Sequence, residues 1–399
     1  TGTVAGQTPV MIHDADTTVD GTAYSLTDGI TVPDSNPGFA GANAGGGLGV
    51  GVNDVPLPQV AKPELELVRL DSGVGAALPV DANAATAQVP DNFTVRGMSI
   101  SGWVRSVWMA SVPGFRPTGV NIEDNVLGSR PDGFADPGVP GTIHGLYVRA
   151  TDAGSLSNNL IGFVDNDGAV LADTTGWTVS GNEVREAAQV LAGSDGINDG
   201  AGSSGNTVSG NLIVDSGGMG IDGTSTGSVI QDNTITGSGV LGLQTAGIRK
   251  TDGPNTISGN ILTGNAGPGV LIRDSVGGNL ISGNHFGGNG TIAIDLVALG
   301  GSNDSGDGIS VNDAATVGTT GNIGLDYPVV TDAFDTGPTS TILGTTCANC
   351  RVEVYTAVAD GDGSDTLAGT DYGEGVTYLG FATAYGSGDW TYVDAAVST

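Results

Sequence analysis

The chain has 399 residues, 70 of them glycine, and 12 Lys+Arg set against 43 Asp+Glu give a net charge of −31. Only two lysines and seven glutamates occur, so helix-favouring residues are scarce while Gly, Asp, Asn, Ser and Thr, which favour turns, abound. This excludes a helical bundle and, for want of clustered cations, a nucleic-acid or anionic-membrane partner. Regular Val, Ile and Leu exclude an acidic disordered chain, and no run of about 18 apolar residues spans a bilayer. What remains is an all-β protein with very many turns.

In chain order, residues 1–15 form an N-terminal segment with a short apolar stretch, Pro9-Val10-Met11-Ile12. The chain opens at Thr1 rather than Met, which suits a processed, exported form. Residues 33–58, rich in Gly, Ala, Asn and Pro, are expected to make a surface loop inserted in an early coil. From 121 to 287 a motif of the form Asn-x-Ile-x-x-Asn-x-Ile recurs, with conservative swaps. Its second asparagine falls at Asn125, Asn159, Asn182, Asn211, Asn233, Asn260 and Asn284, in steps of 34, 23, 29, 22, 27 and 24 residues.

A constant motif at a variable step predicts a solenoid whose turns carry loops of different length. Each unit offers about three short strands with alternating apolar residues. One unit cannot bury that face alone, but units stacked about 4.8 Å apart bury a continuous column. The marker asparagines are expected at bends that need positive φ, bonded to one another along the stack. Residues 16–299 are therefore read as a parallel β-helix, 300–326 as a linker and 327–399 as a small β-sandwich. About five strands are predicted in the sandwich, from PVVTDAF to DWTYVDA, fewer than the roughly seven of an immunoglobulin-like fold.

The runs NTVSGNLIVDSGGMGIDG and NTISGNILTGNAGPGVLI resemble those of secreted bacterial right-handed parallel β-helix repeat proteins, a superfamily that includes pectate-lyase-like enzymes. TVDGT, LELVRLDSG and VRGMSISGW resemble early coils of one branch; LDYPVVTDA and GEGVTYLGFA resemble the Ig-like domain that follows the helix there. The resemblance implies a secreted or cell-surface location and fixes fold better than activity.

The resemblance implies that any chemistry lies along the helix side. Counting seven residues back from each motif aligns Ile221, Ile248 and Ile272, which predicts an outward row of Asp222, Arg249 and Arg273, with Arg149 joining it. This row reads either as a cationic strip for an acidic glycan, with Arg249, Lys250 or Arg273 as a lyase base, or as a ladder of mutually neutralised charges. SDGIND at Ser194 resembles the Asp motif of polygalacturonase-type hydrolases, but that family's paired-Asp and Gly-His-Gly motifs are missing. No cofactor is expected apart from a calcium reading of Asp360, Asp362 and Asp365 in DGDGSD, beside Asp304 and Asp307 in NDSGDG. Cys347 and Cys350 are expected to form a local disulfide.

Two functions follow as expectations. The first is a non-catalytic structural protein whose copies join head to tail in a filament or surface layer, with Val4, Val10, Met11 and Ile12 donating a strand to an incomplete sandwich. A trimmed chain and a complete five-stranded sandwich are the competing explanations of the short sandwich. The second is a polysaccharide lyase, epimerase or glycan-binding adhesin acting on acidic polysaccharide at the helix side.

Overall fold

The computed structural model describes residues 11–22, 34–69, 75–83, 86–111, 114–138, 142–191, 193–273, 277–297, 305–312, 321–337, 339–358, 366–367, 370–371 and 373–394. Val4, Val10, Asp304, Asp360, Asp362 and Asp365 lie outside the described residues.

Short apolar strands recurring once per coil stack into three parallel sheets of nine strands each. Sheet I runs from Thr18–Asp20 to Leu280–Ser282, sheet II from Leu65–Val68 to His285–Gly287 and sheet III from Ala76–Val80 to Ile294–Leu296. Each coil visits sheets I, II and III in turn. Period-2 alternation then places one residue per strand inside at every level. In sheet I, Val95, Ile122, Leu156, Val179, Val208, Ile230 and Ile257 stand in register and are fully buried. Burial of each such side chain contributes about 1.5–3 kcal/mol, and only stacking provides it.

The marker asparagines line the bend between sheets I and II. Along the stack, the Oδ1 of each accepts the backbone N–H and the Nδ2 of the one before, from Asn125 to Asn284. Positive φ falls on the residue before the marker instead, as at Asp124, Asn158, Gly181, Gly210, Asp232, Gly259 and Gly283. Glycine, Asn and Asp tolerate that bend; the marker is kept for its side-chain amide. A parallel ladder of Asn265 and Asn289 ends on the Glu374 carboxylate of the C-terminal domain, at 2.6 Å from Asn289 Nδ2. A third ladder, Asn255 to Asn279, ends on Asn322, within the stretch expected to serve as a linker.

Residues 39–61 depart from the surface-loop expectation. They form two small antiparallel pairs, Phe39–Ala40 with Val60–Ala61 and Gly49–Val50 with Val55–Pro56. These lie across the outer face of sheet II, where Ala40 and Val60 bury Val126 and Leu160, and Val50 and Leu57 bury Leu212. Backbone N–H groups of Ala42 and Gly51 bond Glu183 and Thr234 of the coils below. Outward apolar residues on sheet II explain why a glycine-rich segment packs as a clasp: small residues let backbone approach backbone closely.

The free-donor expectation for the N-terminal segment also changes. Ile12 bridges Val80 of the same chain, with its N–H 3.0 Å from Pro79 O, so it extends the first edge of sheet III, while Met11 is exposed. The small C-terminal β domain has a three-stranded sheet (Val329–Asp335, Ser340–Thr345, Asp389–Asp394) and a pair (Arg351–Val358, Glu374–Thr383) around Val352, Val354, Ala382 and Trp390. Cys347 and Cys350 are joined by a disulfide in the turn between its second and third strands.

Candidate binding face on sheet III

On sheet III, one outward row runs Pro79, Trp108, Tyr147, Val170, Asn198, Asp222, Arg249, Leu271, Asp295. Asp222 and Arg249 stack as expected, but Arg273 and Arg149 do not join them. Ile248 pairs with Val270, not Ile272, because the turn from sheet III to sheet I is two residues longer in that coil than in the two before it. Arg273 is therefore displaced by two positions along the strand direction, although Ile272 keeps its inward face. Tyr147 holds the position proposed for Arg149, which sits two residues further on, exposed and level with Ala172.

Two of the three proposed lyase bases, Arg249 and Lys250, are not available in this geometry. Arg249 grips Asp222 with two hydrogen bonds of 2.7 Å, and both are buried. Lys250 points into the lumen, fully buried, with Nζ 2.6 Å from Ser225 Oγ and 3.5 Å from Asp199 Oδ2. Asp199 also accepts hydrogen bonds from Asn206, Ser225 and Ser228. Desolvation pulls the Lys250 pKa down, while Asp199 opposes it. Residue alternation makes this unavoidable: if Arg249 faces out, Lys250 faces in.

Beside that row, His144, Asp167 and Asp195 form a second, buried line at the start of sheet III. Asp167 accepts the N–H of Asp195 at 3.0 Å and lies 3.4 Å from His144 Nδ1. Asp195 accepts the N–H of Met219 at 2.9 Å. Burial, reinforced by the Asp222 and Asp167 charges, pushes its pKa well above the usual carboxylate range, against the pull of Arg249. At the far end, burial pushes Asp295 up to about 7, with Asp307 adding to the rise and the Gly308 N–H opposing it. Acids whose folded pKa is raised contribute stability that is full below their unfolded pKa, about 4, and lost as pH rises through the folded value. Asp195→Asn and Asp295→Asn are each expected to flatten the decline in stability with rising pH. Chemical denaturation of both variants and the wild type at pH 5 and pH 8 checks this, and an unchanged slope refutes it.

The residues that sequence reasoning missed lie at the first coils of the same face. The Arg105 guanidinium stands 5.5 Å from the Trp108 ring and 5.0 Å from the Tyr147 ring, both half-buried. Arg69 lies 5.2 Å over Trp103 nearby. Arg96, Arg116, Arg185, Arg249, Lys250 and Arg351 each pair with a carboxylate. Arg105, Arg130 and Arg149 pair with none among the described residues; Arg105 and Arg149 lie on sheet III, and the buried Arg105 Nε has no hydrogen-bond partner. Superposing RSVWMA on HGLYVR, the first two long strands of sheet III, is the signal that would have brought Trp108 and Tyr147 together. The described residues hold no group of three His, Cys, Asp or Glu able to bind a metal ion, and no helix among them is long and apolar enough to cross a membrane.

Residues 144–323 match a family model described as a right-handed beta helix region. No curated protein matches the chain in sequence. Among solved structures, it is similar to the periplasmic alginate epimerase AlgG, at 15% identity and a TM-score of 0.40 over 55% of this chain and 47% of that one. It is also similar to PfbA, a surface adhesin of Streptococcus pneumoniae, at 12% identity and a TM-score of 0.44 over 57% of this chain and 60% of that one. An alginate lyase from Paenibacillus shares 14% identity at a TM-score of 0.37, over 54% and 86%. The chain spans about half the length of the epimerase.

Proposed function

We propose that this right-handed parallel β-helix protein binds an acidic polysaccharide along the outer face of sheet III without cleaving it, outside the cytoplasm. The observation that carries this reading is that both arginines of the early sheet III strands, Arg105 and Arg149, have no carboxylate partner among the described residues, in a chain of net charge −31. In so acidic a protein a surface arginine is readily neutralised from within. One held instead against Trp108 and Tyr147 presents its fork to an external anion, while the rings offer flat apolar surface to sugar C–H groups. The engaged Arg249 and the enclosed Lys250 support binding over elimination, since a lyase needs a base that reaches its substrate. The disulfide and the acidic surface support an oxidising, extracytoplasmic setting.

The double variant R105A/R149A is expected to bind polygalacturonate or alginate at least tenfold more weakly by calorimetry, because each charge-assisted hydrogen bond contributes about 1.5–3 kcal/mol. Binding by the wild type is expected to weaken with salt. Unsaturated product absorbing near 235 nm would overturn the non-cleaving reading, and equal affinity of variant and wild type would overturn the site.

Head-to-tail assembly into a filament is the second reading, and one observation favours it. Val329–Asp335, the outer strand of the three-stranded sheet, is exposed at every residue, Val330 and Phe334 included. Such an edge is a template for strand addition. Fibres in electron micrographs that vanish when Val330 is replaced by proline would favour it over a single glycan-binding particle.

A further inference from the structure

On a different face, the clasp and sheet II border an open cavity of about 670 Å³. Its walls come from Phe39 of the clasp, Lys62 just after it, Phe134 with Asp132 and Asp136 in one loop, and Phe163, Glu183, Arg185 and Glu186 at the end of sheet II. Phe134 and Phe163 meet edge to face at 5.2 Å, and Phe39 is 44% exposed.

The backbone under this cavity is the telling feature. Phe163, Glu186, Asp215, Gly237, Gly264 and Gly288 occupy one position in successive coils, directly after the sheet II strands. All have positive φ, between 47° and 69°. Glycine meets that demand freely at three of the six levels and aspartate tolerates it at a fourth. Only the two levels that wall the cavity carry a phenylalanine and a glutamate there. Residues held in an unfavourable backbone region cluster where a side chain is needed for something other than folding.

Glu183 is already engaged, accepting from the Ala42 N–H at 2.5 Å and from Arg185 at 2.9 Å. The remaining charged groups are Glu186, Asp132 and Asp136 against Lys62, so the cavity repels an anion. We propose that it binds a neutral oligosaccharide, whose ring C–H faces lie on Phe39, Phe134 and Phe163 and whose hydroxyls donate to Glu186 and Asp132. Cavities of this size take small polar ligands through a few placed hydrogen-bonding groups on an apolar wall. The site is independent of the acidic-glycan face on sheet III and stands or falls without it.

Saturation-transfer NMR with cellotetraose and mannotetraose tests this on the full chain. At least one is expected to receive saturation at its ring protons, with tetragalacturonate showing no signal that depends on the cavity. Phe39→Ala and Glu186→Gly are each expected to weaken binding at least tenfold. Glu186→Gly relieves the positive φ, so its melting temperature stays level or rises while binding falls, an outcome that a purely structural glutamate does not produce. Absence of transfer to both neutral probes, or transfer that neither variant reduces, overturns the proposal.

Discussion

Replacing Asn211 by alanine is expected to destabilise the protein by about 2–4 kcal/mol, a large loss for a single substitution. Asn211 is fully buried. Its Oδ1 accepts the Asn182 N–H at 3.0 Å and Asn182 Nδ2 at 2.9 Å, and its Nδ2 donates to Val179 O at 3.0 Å and Asn233 Oδ1 at 2.8 Å. Alanine strands the buried Asn182 N–H, at a cost of about 1–3 kcal/mol, and removes further hydrogen bonds from Asn182 Nδ2, which keeps Leu156 O and Ser180 O, and from Val179 O and Asn233 Oδ1. Aspartate does not rescue, because it keeps the acceptor but turns a carboxylate oxygen toward Val179 O and Asn233 Oδ1. Denaturant unfolding measures both variants, and a loss below about 1 kcal/mol for alanine would show that the ladder adds little beyond the apolar column.

Lys250→Met is expected to cost about 3–5 kcal/mol, since it strands the Asp199 carboxylate in the lumen without its counter-charge. The double variant K250M/D199N removes both charges and is expected to recover most of that loss. Neither substitution touches the outer face, so affinity for acidic polysaccharide is expected to stay within twofold of wild type for any variant that folds. If instead K250M keeps full stability and changes glycan turnover, Lys250 reaches substrate and its enclosure in the lumen is refuted.

The two predictions separate what is local from what is not. The inward columns were legible because alternation in a short strand decides which side chains share a face, whatever happens elsewhere. The same alternation puts Arg249 on the outer face, where Asp222 engages it, and Lys250 in the lumen. Asn125 to Asn284 were legible as a ladder because the unit around each repeats even where the loops between them vary. The count that aligned Ile272 with Ile248 failed where a turn lengthened by two residues: it assumed a constant distance from sheet III to sheet I.

By itself, then, the amino-acid order determined a stacked all-β solenoid, its buried columns and its amide ladder, since each depends on neighbours within a few residues. Tertiary structure alone decided that Arg105, Trp108 and Tyr147 converge, because residues 39 positions apart meet only when coils close at a particular length. It likewise decided that a glycine-rich stretch lies over sheet II and that Glu374 and Asn322 end two of the ladders. Those contacts join segments tens of residues apart or more, and chain closure over such distances leaves no periodic trace in composition or spacing.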